Sequence, residues 1–150
     1  MVKVGDPAPD FELQDEHGKA VRLSDFRGRS AVVLMFYPAD NTPGCTRQLC
    51  TARDDYDKYL EAGIAVFGVN PGSASSHQRF AEKHGMRTPL LVDARGVVSR
   101  AYGALMPIPL MTVVNRTVAG IDREGAVRFY ERGIPPTGRI IDAMTQAGPA

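Results

Sequence analysis

The two cysteines of this chain, Cys45 and Cys50, both fall in the run Tyr37-Pro38-Ala39-Asp40-Asn41-Thr42-Pro43-Gly44-Cys45-Thr46-Arg47-Gln48-Leu49-Cys50. The residue types around the first of them predict a helix start. Thr42 can serve as N-cap, Pro43 suits the first helical position, and Gly44 lets a ligand approach the backbone closely. Cys45 is thereby expected in the first turn, where unpaired N–H groups and the positive end of the helix dipole favour a thiolate over a thiol. A free thiol with a pKa of about 8.5 is only a few per cent ionised near neutrality, so such a position converts an inert group into a nucleophile.

Cys50 supplies the second half of a redox cycle. Five helical residues at about 1.5 Å and about 100° each separate the two Cα atoms by roughly 8 to 9 Å and put the side chains on different faces. A disulfide requires less than about 7 Å. Pairing these cysteines therefore requires the turn between them to unwind, which suits a bond made and reduced in each turnover better than a structural staple. Metal binding is not expected, because His17, His77 and His84 lie far from the pair with no ligand-like spacing. No cofactor is expected.

Composition bounds the rest. A chain of 150 residues, 43% hydrophobic, can bury one core, and a single domain over 1–150 is expected. Its 18 basic and 17 acidic residues are dispersed without a basic stripe, so neither nucleic acid nor anionic lipid is expected as partner. The opening Met1-Val2-Lys3-Val4-Gly5-Asp6 has no apolar signal core, and no stretch approaches the roughly 20 apolar residues of a membrane span. The expected location is the cytoplasm, where a close cysteine pair is more often catalytic or metal-binding than structural.

The elements that must position the cysteines follow from periodicity and punctuation. Ala31 to Tyr37 is a continuous apolar run expected as a strand buried on both faces, closed by Pro38. The helix from Pro43 is expected to run through Tyr56 and Leu60 to Gly63. Further strands are expected at 64–70 and 90–93, with a helix between them capped by Ser75 or Ser76 and ended by Gly85. A short helix at 98–102, a hairpin of 117–122 and 126–130, and a helix at 137–147 capped by Thr137 complete the series. Ahead of these, an extended segment at 5–13, a turn at 17–19 and a strand at 21–23 form a leading hairpin. The apolar residues Leu105, Met106, Ile108, Leu110 and Met111 are expected in the core or lining a pocket, with a dimer contact as the alternative, and the histidines are expected at the surface.

The chain resembles the peroxiredoxins, specifically the bacterioferritin comigratory protein or PrxQ group. The resemblance rests on Gly5-Asp6-Pro7-Ala8-Pro9-Asp10-Phe11, on Leu23-Ser24-Asp25-Phe26-Arg27-Gly28, and above all on Phe36-Tyr37-Pro38 with Thr42-Pro43-Gly44-Cys45-Thr46 and Cys50. It implies an α/β thioredoxin-like fold, with a central mixed β-sheet, helices on both faces and an N-terminal β-hairpin. It also implies hydroperoxide as substrate, Cys45 as the peroxidatic cysteine and Cys50 as the residue that resolves its sulfenic acid into an intramolecular disulfide. Thioredoxin or a similar dithiol protein would be the reductant, and a monomer is expected from the intramolecular pair. By the same resemblance Thr42 would hydrogen-bond thiolate and peroxide, Pro38 would shield the thiolate, and Arg116 would stabilise developing negative charge. On residue type alone, Thr42 can be no more than an N-cap, Pro38 a strand end and Arg116 a solvated charge. A general thiol–disulfide oxidoreductase is the nearest rival, although such enzymes carry C-x-x-C where this chain has C-x-x-x-x-C. A redox-sensing binding protein without turnover is a third reading.

Overall fold

The computed structural model describes residues 2–40 and 43–146, apart from the side chains of 43–46. Thr42 therefore lies outside the described residues, as does the Cys45 side chain. The strands are β1 (Glu12–Gln14), β2 (Ala20–Arg22), β3 (Ala31–Phe36), β4 (Ile64–Asn70), β5 (Leu90–Val92), β6 (Thr117–Ile121) and β7 (Val127–Arg132). They form one sheet in the order β2-β1-β5-β4-β3-β6-β7. β3, β4 and β5 run parallel, while β6 and β7 on one side and β1 and β2 on the other are antiparallel. The sheet is thus mixed, as expected, and the leading hairpin is present with shorter strands.

β3 shows why a continuous apolar run belongs at the centre. Val32, Leu34 and Phe36 enter one core with Phe11, Phe67 and Tyr102. Val33, Met35 and Tyr37 enter the other with Leu49, Tyr59, Phe80 and Ile140. Successive side chains point to opposite faces, so a strand covered on both sides needs apolar residues at every position. Helices α1 (Pro43–Asp54), α2 (Tyr56–Glu61), α3 (Ala74–His84) and α5 (Thr137–Thr145) cover the second core, and α4 (Val97–Ala101) packs on the first.

Three expectations about helix boundaries are corrected. The helix from Pro43 does not run unbroken to Leu60. It breaks at Asp55 (φ −97°, ψ 10°), whose carboxylate accepts a hydrogen bond from the Thr137 hydroxyl at 2.6 Å. Thr137 consequently does not cap α5, where Pro136 holds the N-cap position. The cap of α3 is Ser73, whose Oγ accepts from the Ser76 N–H at 3.2 Å, and the Ser76 hydroxyl is free to reach outside its own helix.

In the segment between Ala104 and Val114 the expectation of a pocket lining holds: Leu105, Met106, Ile108, Leu110 and Met111 line a pocket together with Arg95 and Arg100. The base of the segment is pinched by a bridge between Leu105 and Val114, and Ala104 and Val114 are buried. Leu105 packs against the core, but Met106, Ile108, Leu110 and Met111 are exposed, Leu110 fully so. Pro107 and Pro109 withhold backbone donors, so the segment cannot fold back as a sheet strand and projects as a loop.

Candidate functional site

Parallel strands deliver their following loops to one end of the sheet, and here that end carries the cysteine helix. β3 ends at Phe36, Tyr37 stays fully buried, and its N–H still donates to the Val69 carbonyl at 3.2 Å. Pro38, half-buried, turns the chain off the sheet, and α1 begins at Pro43. Cys45 is the third residue of this helix, in its first turn, as the residue types predict. Cys50 lies in the same helix, half-buried and with a free thiol. With both cysteines inside continuous α-helix, the five-residue offset leaves their Cα atoms roughly 8 to 9 Å apart, beyond disulfide reach without local unwinding.

β6 brings Arg116 to the same end. The antiparallel register pairs Phe36 with Thr117, so Arg116, one residue outside β6, lies alongside the chain as it leaves β3 through Tyr37 and Pro38. On the far side of β6, Arg132 pairs with Thr117 and donates through Nη1 to the Thr117 hydroxyl at 2.7 Å, with its guanidinium over the Tyr130 ring. Arg116 thus adjoins the strand end that feeds the cysteine loop, and Arg132 lies one strand further out. The arrangement favours negative charge there.

Several polar residues at the site carry weight that their sequence context did not reveal. Asp40 is only 4% exposed at its side chain. Its Oδ1 accepts from the Tyr37 hydroxyl at 2.9 Å, and its Oδ2 accepts from the Ser76 hydroxyl at 2.6 Å and faces His77 Nδ1 at 2.8 Å. Burial pushes the Asp40 carboxyl up, but the His77 and Ser76 hydrogen bonds, the His77 charge and the Tyr37 hydroxyl outweigh it and hold the group below its ordinary range. His77 is fully buried, which corrects the expectation that the histidines are surface residues. Its Nε2 faces the carbonyls of Asn70 and Leu91 at 3.3 and 3.2 Å, so the ring fills a polar socket that composition could not anticipate.

Gln48, one turn after Cys45, is 2% exposed, and neither atom of its amide has a hydrogen-bond partner among the described residues. A buried unsatisfied amide is costly, and it is retained in native proteins chiefly where a ligand, water or conformational change completes it. Arg53, at the last turn of α1, donates from Nε to Asp54 at 3.0 Å and from Nη1 to the His84 carbonyl at 2.5 Å. The Asp54 bond raises the Arg53 guanidinium above its ordinary value against the cost of desolvation, with a smaller contribution in the same direction from Cys50. No group of three or more His, Cys, Asp or Glu side chains that could hold a metal occurs among the described residues. Nor is any helix among them long and apolar enough to cross a membrane.

Comparisons with known proteins agree with this architecture. The sequence profile of the AhpC/TSA family matches residues 4–130. Peroxiredoxin Q, chloroplastic, of Triticum aestivum is 43% identical over 145 residues, covering 95% of this chain and 65% of the relative. Peroxiredoxin Bcp of Bacillus subtilis (strain 168) is 42% identical over 101 residues, covering 67% of this chain and 64% of the relative. The chain thus spans a little under two thirds of the length of these relatives. The crystal structure of peroxidoxin BcpB from Mycobacterium tuberculosis superposes with a TM-score of 0.88 at 31% identity, covering 95% of this chain and 96% of that one. The mixed sheet and its helices share that thioredoxin-like peroxiredoxin fold. With a family match over most of its length and relatives at this identity, the chain belongs to the AhpC/TSA family and is similar to its peroxiredoxin Q and Bcp members.

Proposed function

We propose that this chain is a thiol peroxidase that reduces hydrogen peroxide and organic hydroperoxides. The observation that carries the reading is the placement of Cys45 in the first turn of α1, at the sheet end where Arg116 also lies. There the helix N-terminus favours thiolate. The Cys45 thiolate attacks one oxygen of the hydroperoxide, the O–O bond breaks, and the leaving alkoxide or hydroxide takes a proton to depart as alcohol or water. Cys45 is left as sulfenic acid. Thr42 hydrogen-bonds thiolate and peroxide, Pro38 screens the thiolate from water, and Arg116 stabilises the charge that develops on the leaving oxygen.

The Cys50 thiolate then attacks the Cys45 sulfur, forming the S–S bond and expelling hydroxide, which is protonated to water. Two electrons and two protons from a dithiol protein such as thioredoxin return both cysteines to thiols by exchange. Disulfide formation is intramolecular within one chain, which acts as a single-domain monomer in the cytoplasm. The C-x-x-x-x-C spacing within one helix, which needs unwinding to close, supports this over a general thiol–disulfide oxidoreductase.

The test is peroxide consumption with an excess of the thioredoxin system by the wild type, Cys45→Ser and Cys50→Ser, with mass spectrometry after a single pulse. Cys45→Ser is expected to abolish turnover, and Cys50→Ser to accumulate a sulfenic or over-oxidised acid on Cys45. A wild type that leaves peroxide intact while reducing a protein disulfide would replace the proposal with thiol–disulfide exchange.

A further inference from the structure

The segment that carries both cysteines is tied at its two flanks to one helix. Upstream, Asp40 is bonded to Ser76 and His77 in the first turn of α3. Downstream, Arg53 is bonded to the carbonyl of His84, the last residue of α3. The first tie is buried and the second half-buried. His77 is fully buried, and its two ring nitrogens face the Asp40 carboxylate and a pair of backbone carbonyls. Asn70 extends the socket, donating through Nδ2 to the Tyr37 carbonyl at 2.7 Å and accepting from the Gly72 N–H at 2.7 Å. A Cβ on Gly72 would lie 2.8 Å from Asn70 Oδ1 and 3.4 Å from His77 Cε1, so the turn after β4 closes directly on the pair. Among the described residues, the charged and titratable side chains that meet His77 are Asp40 and, by ring contact, Tyr37, while β4 and β5 present carbonyls.

The break at Asp55 completes the pattern. α1 ends at Asp54, so a change in α1 need not be propagated into α2, whose Tyr59 is buried in the core. We propose that α3 is a brace for the cysteine segment: the Asp40–Ser76–His77 clamp holds the approach to Cys45, the Arg53–His84 tie holds the end beyond Cys50, and unwinding is confined between them. Asp40 and His77 are then positioning residues. They keep the first turn of α1 formed for attack on peroxide, and they oppose the unwound arrangement that Cys45–Cys50 pairing needs. The inference rests on the peroxidase reading for its kinetic consequence, but the mechanical part stands on the fold alone.

The test uses the full chain and the variants Asp40→Asn, His77→Asn, Ser76→Ala and Arg53→Gln. Stopped-flow measurements on the reduced protein separate the bimolecular peroxide step from the unimolecular disulfide step, and amide hydrogen exchange follows residues 43–61. Asp40→Asn is expected to slow the peroxide step roughly tenfold, as misplacement of a reacting group does, while disulfide formation becomes faster. Ser76→Ala should move both rates in the same directions by less, and His77→Asn, which keeps a donor toward Asp40, should lie between Asp40→Asn and the wild type. Arg53→Gln should extend fast exchange to the end of α1 at Asp54 and leave the peroxide step within about twofold. A simple loss of stability would not drive the two rates in opposite directions. Lowered thermal midpoints with both rates slowed together, or unchanged, would overturn the brace. If the wild type consumes no peroxide, the peroxidase reading falls, whereas faster exchange confined to 43–52 in Asp40→Asn would still establish the brace and unchanged exchange there would refute it.

Discussion

Leu49 is, with Ala52, a residue by which α1 packs into the core under the sheet, and its truncation tests whether the cysteine helix is secured by packing. The side chain is fully buried, one position before Cys50, in the core shared with Tyr37, Tyr59 and Phe80. Beneath it lies bare backbone: a Cβ built on Gly68 of β4 would come within 3.4 Å of Leu49 Cδ2. Leu49→Ala removes three carbons, a transfer loss of about 2.4 kcal/mol at about 0.8 kcal/mol per buried carbon. The void left over Gly68 has a strand backbone for its floor and cannot readily collapse, so a cavity contribution adds to this and the total should reach about 3 to 4 kcal/mol. Leu60, on α2 and 52% exposed, is the matched control, and Leu60→Ala should change stability by less than about 0.5 kcal/mol. Denaturant unfolding of the reduced protein gives both values, provided the slope is unchanged between variants. A loss below about 1 kcal/mol for Leu49→Ala, with the slope preserved, would show that α1 is not held by this contact and would refute the packing argument.

Three other outcomes follow from the same geometry. Gly68→Ala should destabilise by about 1 to 3 kcal/mol through overpacking, because its Cβ would meet Leu90 at 2.8 Å and Tyr37 at 3.2 Å; a neutral result in thermal unfolding would mean that β4 can shift. Asp40 has a folded-state pKa below its unfolded value of 3.8, so its contribution to stability is present above that value and is lost as pH falls through the folded one; Asp40→Asn should flatten this part of the acid-unfolding profile, and an unaltered acid limb would contradict the assignment. Burial raises the Tyr102 phenol well above its ordinary value near 10, and its hydroxyl donates to the Pro9 carbonyl at 2.6 Å, so stability is retained below pH 10 and lost above it; Tyr102→Phe should cost about 1 kcal/mol at neutral pH and blunt the alkaline loss seen by circular dichroism, and equal alkaline profiles would count against it.

The sequence by itself determined the elements that local chemistry can write. The apolar run from Ala31 reads as a doubly covered strand because every position is apolar, and the strand proves fully buried. Pro43 and Gly63 mark a helix start and a chain reversal through their own backbone preferences, and both hold. The motif from Tyr37 to Cys50 carried the family resemblance for the same reason, since the positions that set a thiol at a helix N-terminus are contiguous. Tertiary structure decided the rest. At the break, Asp55 is bonded to the Thr137 hydroxyl, 82 positions away, and no periodicity within α1 and α2 could signal that partner. His77 reads as a surface residue of a polar helix until β4, β5 and the loop after β3 close around it, because burial of a polar side chain is fixed by the partners that satisfy it and those come from separate elements. The two ties of α3 to the cysteine segment are likewise long-range. Sequence placed the two cysteines, and the packing of distant elements decided what holds their segment.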